Sequence, residues 1–154
     1  MTVGVENNFK VWYGDKMIKN PIPSKNKGKI ILESGAKPKP HEYITAEALA
    51  DVGYIVRFIP SNTILGMADC YINSTIFELK APEGKTTNCI ERNLRKAINH
   101  QSSNVVLDSF RMKNIQDRSI QSFLLERLKL GHGLKRIIFV NRKRQAIDLN
   151  QLLK

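Results

Sequence analysis

The sequence predicts a single α/β (α+β) domain, a mixed central sheet flanked by helices. Three observations carry that prediction. Segments with a helical apolar period, 42–51, 86–101 and 119–130, are separated by apolar runs of strand length at 54–59, within 66–73, at 75–80, 104–108 and 134–140. The chain has 154 residues, 42% of them hydrophobic, which is enough for one real core. The runs at 104–108 and 134–140 are apolar almost throughout, as expected of strands covered on both faces of a parallel sheet.

Residues 1–40 read as an irregular segment preceding a domain at 41–154. Pro21, Pro23, Pro38 and Pro40, with Gly14, Gly28, Gly35 and the stretch Lys25-Asn26-Lys27-Gly28-Lys29, break any long period. Two short apolar pieces, Phe9–Tyr13 and Lys29–Leu32, can dock on the core as strands. Phe9, Trp12 and Tyr13 suit a staple for the arm better than a base-stacking cluster. Then Tyr43, Ala46 and Ala50, with Ile44, Ala48 and Leu49, recur at helical spacing over Glu42–Asp51, and Gly53 ends that helix. Tyr54–Ile59 is a strand closed by Pro60. Two further strands flank the turn signal Asn73-Ser74. Thr86 or Thr87 caps a helix reaching Gln101, with Ile90, Leu94, Ala97 and Ile98 on one face. Asn104–Asp108 is a buried strand, and Ser119–Leu130 a helix stopped by Gly131-His132-Gly133. Leu134–Val140 is another buried strand, and Ala146–Leu153 a last strand or helical turn. No internal repeat is visible.

Charge narrows the partners. The net charge of +11, from 25 basic and 14 acidic side chains, favours a polyanion such as nucleic acid, an anionic membrane or an acidic protein. Residues 1–40 hold eight Lys/Arg against three acids and 111–154 eleven against three, whereas 41–110 hold six against eight. An acidic centre within basic flanks suits a protein that grips phosphates broadly and concentrates carboxylates where chemistry occurs. The two cysteines, Cys70 and Cys89, make neither a zinc motif nor a disulfide framework. With no 18-residue apolar run, signal core or lipidation motif, no membrane insertion by this segment is expected. Any route out of its cell must come from something attached to it.

The chemistry centres on Glu78-Leu79-Lys80. Strand alternation sends Glu78 and Lys80 to one face while Phe77 and Leu79 take the other. A hairpin at Asn73-Ser74 is expected to bring Asp69 beside them. Two carboxylates can hold a divalent cation, magnesium or zinc, with Asp69 and Glu78 as ligands, while Lys80 offsets charge developing on a phosphate. The bland alternative is an edge-strand ion pair. Metal-free cleavage has its own candidate in His100, at the end of the middle helix, with His132 and His41 behind it.

The spacing of Asp69, eight residues, then Glu78-x-Lys80, resembles the PD-(D/E)XK nucleases, although Met67-Ala68 stands where a proline is usual. The element order helix, three strands, helix, strand, helix, strand is similar to the core of that restriction-endonuclease-like fold. The resemblance implies a further acid from the first helix, for which Glu47 is preferred to Glu42. Val5-Glu6-Asn7-Asn8 resembles the VENN peptide that opens the variable C-terminal toxin region of CdiA-type contact-dependent growth inhibition proteins. Leu49-Ala50-x-x-Gly53-Tyr54-x-Val56, Glu78-x-Lys80-x-Pro82 and Gln101-x-x-Asn104-Val105-Val106-Leu107-Asp108 are similar to nuclease domains at such C-termini.

This resemblance implies an endonuclease toxin, carried on a larger secreted or cell-surface effector and acting in the target-cell cytoplasm. Its expected substrate is tRNA, with DNA the alternative. It also implies a cognate immunity protein and, for some members, a helper such as elongation factor Tu. Relatives with barnase, EndoU, colicin or RelE folds cleave RNA without metal, so that such a fold would need no cofactor. Arg92, Arg95 and Lys96 on the middle helix, and Arg142-Lys143-Arg144, are the candidates for holding the RNA backbone. Outside the enzyme class stand a nucleic-acid-binding module without chemistry and an inhibitor that docks another protein.

Overall fold

The computed structural model describes residues 10–13, 16–19, 28–60, 70–100 and 102–153. Strands β1 (Lys10–Tyr13) and β2 (Lys16–Lys19) form a two-stranded antiparallel ribbon. The main sheet has seven strands in sequential spatial order. These are β3 (Lys29–Leu32), β4 (Ile55–Phe58), β5 (Cys70–Ile72), β6 (Thr75–Lys80), β7 (Asn104–Asp108), β8 (Arg136–Val140) and β9 (Ala146–Asp148). The pairs β3–β4, β6–β7 and β7–β8 are parallel, and β4–β5, β5–β6 and β8–β9 antiparallel. The mixed sheet flanked by helices is the fold class expected from the sequence. Lys29–Leu32, taken from the sequence as a piece able to dock, is one of its two edge strands.

The helices are α1 (Pro40–Asp51), α2 (Thr87–Asn99), α3 (Asp117–Leu130) and the single turn α4 (Leu149–Leu152). α1 starts two residues before Glu42 because Pro40 suits the first helical position and the Lys39 amide donates to Glu42 Oε1 at 2.7 Å. Of the two threonines offered as caps for α2, Thr86 serves, its hydroxyl accepting from the Cys89 amide at 3.3 Å. α3 likewise starts at Asp117 rather than Ser119, and Ala146–Leu153 is both strand and helical turn. Asn73 and Ser74 turn the β5–β6 hairpin with positive φ at both positions, the twist that matches adjoining strands.

Alternation along the strands splits the core in two. On one face α1 lays Tyr43, Ala46 and Leu49 over Val56, Phe58, Phe77, Leu79, Val106 and Ile138. On the other, α2 and α3 lay Ile90, Leu94, Ala97, Ile120 and Leu124 over Val105, Leu107, Ile137 and Phe139. The βαβ crossovers through α2 and α3 therefore sandwich β7 and β8, and their near-continuous apolar sequences follow from burial on both sides. Gly28 marks a close approach, since a Cβ there would meet the backbone carbonyl of Ala50. Both cysteines are buried and free. No helix among the described residues is long and apolar enough to cross a membrane.

Candidate active site

β6 delivers Glu78 to the face covered by α2, in register with Val105 of β7, where it is 3% exposed. A carboxylate so far from water needs compensating charge. Lys80, two residues on and therefore on the same face, places Nζ 2.7 Å from Glu78 Oε2. His100, which ends α2, places Nδ1 3.2 Å from Glu78 Oε1. The lysine approach is short but outside hydrogen-bond geometry, so Oε2 is buried with a neighbouring charge and no directed donor. An ionised carboxylate only accepts, so a neutral His100 ring that donates to it from Nδ1 has Nε2 as its acceptor. The His100 side chain is half exposed, so a buried anion orients a solvent-facing base.

The flank of α2 that carries His100 also carries two sequence-predicted cations. Positions 92, 96 and 100 advance about 40° per step around the helix and form one stripe. Arg92 and Lys96 are exposed, and no acid pairs with either among the described residues. Arg95 lies on the opposite flank, bound to Glu91 at 3.0 Å. Glu91 also holds Arg127 at 2.9 Å and so ties α2 to α3.

Other predicted residues are placed elsewhere. Glu47 is exposed on α1, which covers the face opposite Glu78, so the sheet stands between the two. Helical periodicity cannot say which face of the sheet a helix will cover. Asp69 and the Val5-Glu6-Asn7-Asn8 tetrapeptide lie outside the described residues. Arg142 pairs with Asp117 at 2.9 Å and donates to the Met112 carbonyl at 2.9 Å. Arg144 is bidentate on Asp108, at 2.8 and 2.9 Å. Those two guanidinium groups hold the fold together, while Lys143 between them is exposed.

Among the described residues no group of three His, Cys, Asp or Glu side chains is arranged to hold a metal. Glu78 is the carboxylate of its cluster, and both its oxygens face cationic or proton-bearing groups. The described residues alone do not fit a magnesium or zinc ion.

Sequence reasoning missed Asp108. It is fully buried at the end of β7, accepts from the Thr45 hydroxyl at 2.6 Å and from the Phe110 amide at 3.0 Å, and completes its shell with Arg144. An acid closing an otherwise apolar strand was the available signal. Nearby, burial and then the charges of Arg111 and Lys39 lower the His41 pKa, against the weaker pull of Glu83 and Asp108. The unfolded chain then binds this proton more readily than the folded one, so stability falls as pH drops below about 6.5. Tm measured from pH 8 to pH 5 should show a shallower acid-side loss for His41→Gln than for the unaltered chain.

A groove of about 600 Å³ between α2 and α3, lined in part by Arg95, Phe123, Arg127 and His132, includes neither Glu78, Lys80 nor His100. The fold and the cluster thus define a basic α+β domain with one carboxylate, one ammonium and one imidazole gathered on a mixed sheet. Residues 67–146, just over half the chain, match the model of the contact-dependent growth inhibition CdiA C-terminal domain, and the chain belongs to that family. Its fold is similar to that of the CdiA-CT/CdiI toxin and immunity complex from Burkholderia pseudomallei. The TM-score is 0.64 at 20% identity, over 79% of this chain and 98% of that one. No curated protein matches the sequence.

Proposed function

We propose that the chain is the toxin domain of a contact-dependent growth inhibition effector, an endonuclease that cuts RNA, tRNA foremost, in the target-cell cytoplasm. The observation that carries this reading is the convergence of Lys80 and His100 on the buried Glu78. His100 Nε2 takes the proton of a ribose 2′-hydroxyl, whose oxygen attacks the adjacent phosphorus. The bond from phosphorus to the 5′-oxygen breaks, leaving a 2′,3′-cyclic phosphate and an alkoxide that takes its proton from water. Lys80 lies where it can offset charge on the phosphorane oxygens. Glu78 holds both groups and stabilises the imidazolium once formed. Arg92 and Lys96, on the same flank of α2 as His100, would contact phosphates along the strand.

A second reading, a DNase or RNase using magnesium or zinc on Asp69 and Glu78, is favoured by one observation: Glu78 Oε2 is buried without a directed donor. The relative of similar fold was solved as a toxin with its immunity protein. By that likeness this chain has a cognate immunity protein, with an acidic surface against so basic a partner. A helper such as elongation factor Tu is a further partner to test by reconstitution.

The deciding experiment expresses the chain without an immunity protein, runs total RNA and genomic DNA on gels, and repeats the digestion with purified protein in EDTA. RNA cut in EDTA to 2′,3′-cyclic ends, with DNA intact, is expected. Activity abolished by EDTA transfers the case to the metal reading, and intact nucleic acid under both conditions removes the nuclease altogether.

A further inference from the structure

The face of the sheet that carries Glu78 and Lys80 continues past β6 to β5 and β4, away from α2. Register and alternation place three side chains there. Tyr71 pairs directly with Ile76, and Arg57 pairs directly with Tyr71. Ile76 lies two residues before Glu78 on one strand, so all five side chains share the face. Phe58, Cys70, Ile72 and Phe77, which alternate with them, are buried against α1. Arg57, Tyr71 and Ile76 are only half buried.

Arg57 lies over the Tyr71 ring, 4.5 Å from its centroid, and is held there by Glu33 at 2.8 Å. Tyr71 thus keeps part of its ring accessible on the strand next to the one that carries the charged cluster. The ring is pre-oriented by its cationic neighbour, so little entropy remains to be lost when a second planar group stacks. On the opposite side of the cluster, α2 presents Arg92 and Lys96 for phosphates. A strand whose backbone follows α2 and whose scissile bond lies at Glu78, Lys80 and His100 turns its neighbouring base toward β5 and β4.

We infer that Tyr71, braced by Arg57, is a stacking platform for an unpaired nucleobase next to the scissile phosphate. This rests on the nuclease reading above. It makes Tyr71 a positioning residue, selecting single-stranded or loop nucleotides over helical ones, because a base stacked within a duplex offers no free face.

The test measures binding of the full chain, in EDTA, to a short single-stranded oligonucleotide made as 2′-O-methyl RNA and as DNA. Neither can be cut by attack of a 2′-hydroxyl. Tyr71→Leu should raise Kd about tenfold, the size expected of one lost base stack, whereas Tyr71→Phe should stay within about twofold. An oligonucleotide with abasic positions should bind more weakly and lose its sensitivity to Tyr71→Leu. On cleavable RNA the change should appear in KM, with kcat within about threefold. Should Tyr71→Leu lower Tm, Tyr71→Trp supplies the readout, its emission quenched on addition of oligonucleotide. Unchanged Kd in a folded Tyr71→Leu, or unchanged emission in Tyr71→Trp, overturns the platform. A chain that binds through Tyr71 yet cuts nothing leaves the platform standing and removes the nuclease. A chain that binds no oligonucleotide removes the platform by itself.

Discussion

On the proposed nuclease reading, Glu78→Gln and Lys80→Ala should each lower cleavage by about 10²-fold or more and abolish growth inhibition, with Tm lowered less than cleavage falls. The amide of Glu78→Gln keeps the shape of the side chain but loses the charge that orients His100 Nδ1 at 3.2 Å and accompanies Lys80 Nζ at 2.7 Å. Without that charge His100 can present either tautomer, and the imidazolium formed during proton transfer has no counter-ion. Lys80→Ala should leave His100 oriented and remove the cation proposed to face the phosphate. The two variants should therefore differ in their pH–rate profiles, Glu78→Gln changing the acid limb, on which a general base loses its proton-accepting form, and Lys80→Ala lowering the whole curve. Initial rates on tRNA from pH 5 to pH 9 provide the check. If both variants retain full cleavage and toxicity, the cluster is an internal ion pair and the protein's activity lies elsewhere.

Asp108→Ala is expected to be the most destabilising single substitution outside the apolar core, costing about 3–5 kcal/mol. Asp108 has no exposure to water and uses both oxygens on Arg144 while also accepting from Thr45 and Phe110. Removing it takes the charged acceptor from Arg144 and Thr45, leaving the guanidinium only the carbonyls of Asn141 and Ile44 and the hydroxyl only that of His41. For a chain of this length the drop in Tm is roughly 6–20 °C. Arg144→Ala alone should also destabilise, since it strands the carboxylate. The double variant should recover part of the loss, a coupling that chemical denaturation of all three proteins measures. Because α1's face is opposite that of Glu78, cleavage per folded molecule at low temperature should be close to that of the unaltered chain. A Tm shift under about 2 °C would show that the pair is dispensable.

Much of the architecture was legible in the residues. Val105-Val106-Leu107 and Ile137-Ile138-Phe139 read as doubly covered strands because alternate positions feed two different cores, and the helices that cover them carry a plain apolar stripe. Asn73-Ser74 announced the hairpin. Helix starts were displaced by two residues at α1 and α3, where Pro40 and the much-bonded Asp117 take the first turn. Of the site, the shared face of Glu78 and Lys80 followed from strand period alone. The arrival of His100 at the same carboxylate did not, because it depends on where α2 ends above β6. Glu47 illustrates the converse, a residue of suitable chemistry carried to the wrong side of the sheet.

Local periods of 2 and 3.6 residues were enough to read the helices and most strands from Lys29 onward, their order, and the pairing of an acid with an amine on one strand face, but not the strand Lys16–Lys19. Tertiary contacts alone brought His100 to the cluster, paired Arg144 with Asp108, and set Tyr71 and Arg57 on the same face as Glu78. Such contacts join residues 14 to 36 positions apart. They are set by crossover and register, which no local period encodes.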